Sequence, residues 1–159
     1  MSASPIWLPP MLQVNPWNTA TFDHLYGVFT RDFKNSRPTI DNRHVWFFQD
    51  MDDGKERIFW HLTHRKDRIS DVRLPDPRRC ERLPWIRSMI EHCYDPELLF
   101  WDYIEDDKSI GSYLWLKSQQ FIVIMRKYPD TQRRLVTSYF VDQSGFIRSF
   151  ERKYSQRVK

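Results

Sequence analysis

Phe121-Ile122-Val123-Ile124-Met125-Arg126-Lys127 and Arg133-Arg134-Leu135-Val136-Thr137-Ser138-Tyr139-Phe140-Val141 are two apolar runs joined by Tyr128-Pro129-Asp130-Thr131-Gln132. Both are rich in β-branched and aromatic residues, which fit a pleated, half-buried surface. The connection is too short for a parallel crossover, so the two strands must be antiparallel. Leu98 to Ile104 and Ser112 to Leu116 read the same way one step towards the N-terminus. Four such runs with short turns predict an antiparallel meander. A period of two places Leu135, Thr137, Tyr139 and Val141 on one face of the last strand and Val136, Ser138 and Phe140 on the other.

Further out, Arg43 to Gln49 and Lys55 to Thr63 read as two more strands, reversed at Asp50-Met51-Asp52-Asp53-Gly54. A basic loop runs from Arg65 to Leu74. Asp76-Pro77 then starts a helix, with Asp76 as cap and the proline in the first turn. Pro84 predicts a kink or restart. Beyond it Ile86, Met89, Ile90 and Cys93 form a helical stripe. Near the N-terminus, Asn18, Thr19 and Thr21 offer caps for a helix carrying Phe22, Leu25, Tyr26, Phe29 and Phe33, ahead of a loop from Asn35 to Asn42. A last helix follows Ser144-Gly145 and carries Phe146, Phe150 and Tyr154. The fold class is therefore α+β, with an antiparallel sheet of about five to six strands and helices mainly on one face. Residues 1–42 form a lead-in and helix, 43–159 the main domain, and the whole is one compact unit.

A chain of 159 residues can bury a core without disulfides or metals, and with 16% aromatics and 4 glycines it is no linker. The formal charge is +4, unevenly spread. Arg57 to Arg87 holds nine basic and four acidic residues, Arg126 to Lys159 nine and three, while Asp95 to Ser109 sets six acidic residues against Lys108. A positive face and a negative side fit a phosphate-bearing partner, although a solvated surface has the same composition. Cys80 and Cys93 do not make a disulfide framework. Residues Met1 to Pro10 lack the basic start and apolar core of a signal peptide, and no run approaches the ~18 apolar residues of a membrane span. A cytoplasmic protein with no membrane partner is expected.

Chemistry concentrates in Phe59-Trp60-His61-Leu62-Thr63-His64-Arg65. On a strand, His61 and Thr63 would share a face and His64 would point away. Two histidines so placed do not form a metal pair, and no Cys/His cluster has ligand spacing, so neither metal nor cofactor is expected. A strand-end histidine is most often structural. The arginines nearby raise its interest: Arg78 and Arg82, one helical turn apart, suit one phosphate, unless Asp76 and Glu81 neutralise them. Thr137 and Tyr139 would offer two hydroxyls about 7 Å apart on one strand face. There is no P-loop, dinucleotide fingerprint or G-x-S-x-G elbow. Glu105-Asp106-Asp107 reads as a solvated loop.

Phe59-Trp60-His61-Leu62-Thr63, the run Leu74-Pro75-Asp76-Pro77-Arg78-Arg79-Cys80-Glu81-Arg82-Leu83-Pro84-Trp85-Ile86-Arg87 and the closing Thr137-Ser138-Tyr139-Phe140-Val141-Asp142 together resemble phage- and plasmid-borne members of the barnase–EndoU–colicin–RelE (BECR) nuclease superfamily. The likeness runs from about Arg57 to Tyr154. It implies a helix packed on an antiparallel sheet whose open face binds RNA, metal-independent cleavage, and a toxin held in check by an antitoxin or immunity protein. It implies catalytic roles for His61, Arg78, Arg82, Thr137 and Tyr139. Thr63, Arg65, Arg79 and Arg126 are expected to contact substrate. The chemistry would be attack by the RNA's own 2′-hydroxyl, with His61 moving the proton and arginines holding the phosphate. A non-catalytic RNA-binding or host-protein-binding factor of the same origin is the other reading.

Overall fold

A computed structural model describes residues 4–159, so the first three residues of the expected lead-in lie outside it. The elements run α1 (Thr19–Phe29), a π turn (Thr30–Lys34), β1 (Thr39–Ile40), β2 (Arg43–His44), β3 (Met51–Asp52), β4 (Lys55–Glu56), α2 (Arg57–Thr63), β5 (His64–Lys66), β6 (Arg73–Pro75), α3 (Pro77–Glu81), α4 (Leu83–Glu91), β7 (Leu99–Ile104), β8 (Ile110–Leu116), β9 (Phe121–Lys127), β10 (Arg133–Phe140) and α5 (Ser144–Ser155). The fold is α+β.

The meander is present. Strands β10, β9, β8 and β7 are neighbours in that order, all antiparallel, with Phe121 opposite both Phe140 and Leu116. The principal sheet has four strands rather than five to six, because β1–β2, β3–β4 and β5–β6 form three separate two-stranded ribbons. At the free edge of β10 Trp46 makes an isolated bridge: its N–H donates to the Arg133 carbonyl and its carbonyl accepts from Leu135.

The strand expected from Lys55 to Thr63 is instead a two-residue strand followed by helix α2. Arg57-Ile58-Phe59-Trp60-His61-Leu62-Thr63 has the aromatic and β-branched content of a strand, but Ile58, Phe59 and Leu62 are its buried apolar residues, at helical spacing. A seven-residue apolar run cannot be assigned from local pattern alone. The Thr63 hydroxyl donates back to the Phe59 carbonyl, a bond that exists only in a helix. The strand expected from Arg43 to Gln49 likewise shrinks to β2.

The caps follow the sequence. Asn18 accepts from the Thr21 N–H at the start of α1, and Asp76 accepts from the Arg78 and Arg79 N–H groups at the start of α3. The chain breaks at Arg82 and restarts as α4, as Pro84 requires.

Two clusters of buried residues sit on opposite faces of the sheet. Leu114, Leu116, Phe121, Val123, Met125 and Leu135 join side chains from α1, α2, α3 and α4 on one face. The stripe Ile86, Met89, Ile90 and Cys93 is buried there, and both cysteines are free. Residues 4–42 belong to this same core, through Val14, Leu25, Phe29 and Ile40. Trp101, Tyr113, Trp115 and Ile122 lie on the other face under Phe150 of α5. The second face is therefore not open along its length. Lys153 of α5 pairs with Glu105 at 3.0 Å, and Glu105 also accepts from the Tyr113 hydroxyl, so Glu105 is a docking residue rather than part of a solvated loop. No helix among the described residues is long and apolar enough to cross a membrane.

Candidate functional site

The site is built around the last turn of α2, where it abuts the free edge of β10. Strand β10 carries a β-bulge: Leu135 pairs with Met125 and Thr137 with Ile124, so Val136 is the extra residue. Leu135 consequently faces the α1–α4 core, while Thr137 and Tyr139 face the other way. The simple alternation that put Leu135 beside Thr137 fails at this one residue. Thr137 and Tyr139 do share a face.

The Thr137 hydroxyl donates to the His61 carbonyl at 3.4 Å. Arg79 Nη1, from α3, donates to the same carbonyl at 2.9 Å and to the His64 carbonyl at 3.0 Å. The last carbonyls of a helix have no partner within it, and here a guanidinium and a hydroxyl supply the donors. Two elements distant in the chain, α3 and β10, thus converge on the backbone of His61 at the end of α2. Its side chain is exposed in a cleft of about 470 Å³ whose polar lining comes from Arg57, Arg79, Arg134, Asp50, Thr137 and Tyr139.

Electrostatics set the state of the imidazole. Partial desolvation, and then the positive charges of Arg57, Arg73 and Arg79, lower the His61 pKa below its ordinary 6.5, with Asp50 opposing. His61 is therefore neutral at pH 7 and able to accept a proton. Among the described residues no group hydrogen-bonds its ring nitrogens. Arg57 is half-exposed and bonded to Asp50 at 2.6 Å. Arg134 lies over the Phe48 ring at 4.1 Å and donates to the Tyr128 hydroxyl. Burial raises the pKa of Tyr139 despite Arg79 nearby, so its phenol stays protonated, and its hydroxyl makes no hydrogen bond among the described residues.

Of the residues singled out in the sequence, His61, Arg79, Thr137 and Tyr139 are brought together. Arg78 and Arg82 are not in this cleft. Arg78 pairs with Asp142 at 2.9 Å and lies over the Phe140 ring, and Arg82 packs between Phe140 and Trp85 with its Nη1 on the Arg78 carbonyl. They grip one aromatic ring rather than one anion. Thr63 is buried, Arg126 lines a separate hollow beside Glu105 and Asp107, and Arg65 lines the two neighbouring clefts. His64 is packed edge-on against Trp17, Phe22 and Trp60 and bonded through Nδ1 to the Thr63 hydroxyl, a structural residue. Among the described residues no group of three or more His, Cys, Asp or Glu side chains is placed to hold a metal ion.

Arg57, Arg134 and Phe48 were missed. The signal for Arg57 was present but depended on the helix: Arg57 and His61 are four apart, one turn on the same face. Arg134 and Phe48 meet only because Trp46 docks on β10.

Compared with family models, curated proteins and solved structures, the chain matches none.

Proposed function

We propose that this chain is an endoribonuclease that cleaves RNA through the substrate's 2′-hydroxyl, leaving a 2′,3′-cyclic phosphate and using no metal or other cofactor. The observation that carries the reading is a histidine held neutral in a cleft walled by three guanidinium groups. Neutral His61 accepts the 2′-hydroxyl proton as that oxygen attacks the adjacent phosphorus; the bond from phosphorus to the 5′-oxygen breaks, and that oxygen leaves as a hydroxyl after taking a proton from water. Arg57, Arg79 and Arg134 stabilise the charge that grows on the pentacoordinate phosphate, and the free Tyr139 hydroxyl donates to a phosphate oxygen. Thr137 positions His61 through its backbone. The resemblance to the BECR nucleases points the same way and adds the expectation of a toxin neutralised by an antitoxin or immunity protein.

Incubating the protein with mixed RNA in excess EDTA tests this directly. Fragments ending in a cyclic phosphate are expected from the wild-type chain, and none from His61→Ala. RNA left intact by wild-type protein at high concentration overturns the reading.

One observation favours a binding module instead. Every guanidinium around His61 already has a protein partner, and no group orients the imidazole as a base is normally oriented. Such a module would bind RNA equally well with and without His61 and cleave it in neither case.

A further inference from the structure

The His61 cleft does not stand alone. A second cleft, of about 400 Å³, lies between α2 and the β5–β6 ribbon and shares Arg57, His61 and Arg79 with the first. A third, of about 540 Å³, lies between α3 and the start of α5 and shares Arg79 and Tyr139 with the first and Arg65 with the second. Arg79 is common to all three. Together they are lined by seven basic side chains and four carboxylates, a net +3 against +4 for the entire chain. The protein's excess charge is thus gathered around three adjacent clefts that share walls.

The second cleft is the most positive part. Five basic side chains face a single carboxylate, Asp52, which is engaged by Arg73. Arg73 lies over the Trp60 ring at 4.7 Å and Trp60 stacks on Phe22, so this wall is rigid. Two cations remain for a ligand. Arg65 makes no ion pair or side-chain hydrogen bond among the described residues, and Lys66 is 64% exposed with only Asp71 at 3.8 Å. An unpaired arginine and an exposed lysine with one distant carboxylate, side by side next to a histidine cleft, match a second phosphate of the same strand.

We infer that Arg65 and Lys66 of the β5–β6 ribbon form a second phosphate subsite, so that the ligand is an unpaired polynucleotide strand laid across Arg79 and past His61. The inference deepens the ribonuclease reading and rests on it for the choice of RNA, but its binding test does not need catalysis.

The test measures binding of an unpaired RNA octamer to His61→Ala protein over a range of salt concentrations. Each phosphate neutralised on a single strand contributes about 0.7 to the slope of log affinity against log salt. Arg65→Ala with Lys66→Ala is expected to lower that slope by about 1.4, and Arg65→Lys with Lys66→Arg to restore it. Arg148→Ala, an exposed cation of α5 outside all three clefts, is expected to leave it unchanged. An unchanged slope in the double alanine variant, an equal fall with Arg148→Ala, or equal affinity for the octamer as a duplex overturns the inference. Wild-type protein that leaves RNA intact while the slope falls as expected removes the catalytic reading and leaves the groove. Cleavage with an unchanged slope does the reverse.

Discussion

In the proposed reaction His61 is the base, which must be neutral to accept a proton, and its surroundings repel one. Desolvation and then three guanidinium groups depress its pKa, so the rate is expected to be flat around pH 7 and to fall only as the pH drops through a value below 6.5. Arg57→Gln removes one of the repelling charges. The acid limb of the pH–rate profile should then move to higher pH, and the rate fall with the lost phosphate contact. A limb that stays in place or moves to lower pH would show that Arg57 does not act on His61. His64 tests the same physics through stability. Burial first, then Arg73 and Arg79, lower its pKa to about 4. Between that value and 6.5 the unfolded chain binds a proton that the folded chain does not, so stability is lost as pH falls through this window. The loss between pH 7 and pH 4.5, read from urea unfolding at the two values, is about 2 kcal/mol. His64→Phe, which keeps the aromatic packing with Trp17, Phe22 and Trp60, should remove most of that acid sensitivity.

Strand β10 shows how one added residue shapes the edge on which the proposed site is built. Because Leu135 and Thr137 already pair with the consecutive residues Met125 and Ile124, deleting Val136 preserves both registers and every face assignment. The shortened strand should fold, with an unchanged far-UV circular dichroism spectrum. It should also straighten, drawing the Thr137 hydroxyl off the His61 carbonyl and lowering RNA cleavage by about tenfold or more, as small misplacements of a reacting group do. Undiminished cleavage would show that the bulge only terminates pairing. Helix α2 was legible in part. Its buried spacing is helical, yet its composition is that of a strand, and what decides between them is the support its end receives from Arg79 and Thr137, 18 and 76 residues away.

The assembly of both faces of the sheet decides how much of it a ligand can reach. Helix α5 covers Trp101, Tyr113 and Trp115 through Phe150, with Lys153 on Glu105 as a polar clasp. Phe150→Ala should cost about 3–5 kcal/mol, measured by urea unfolding, because that ring contacts Tyr113, Trp115 and Tyr139 together. A cost under about 1 kcal/mol would mean that the face collapses around the loss or that α5 is loosely held. The proposed site opens at the edge of the sheet where α2 and α3 meet β10, among the clustered arginines.

The four strands of the meander, the caps at Asn18 and Asp76, the break before Pro84 and the buried stripe of α4 could all be read along the chain. Each depends on side-chain alternation or a hydrogen bond spanning a few residues. The same local logic paired Arg78 with Arg82 and His61 with Thr63, and both pairings failed to meet at the cleft. A guanidinium goes to whatever ring, carboxylate or helix-end carbonyl long-range packing brings to it: Phe140 for Arg78 and Arg82, the last turn of α2 for Arg79. Residue type and spacing therefore disclosed the meander, three of the helices' starts and a basic, histidine-bearing surface, but not helix α2 or the short ribbons. Which cations surround His61 was decided by contacts between segments far apart in the chain, and no short-range periodicity encodes those.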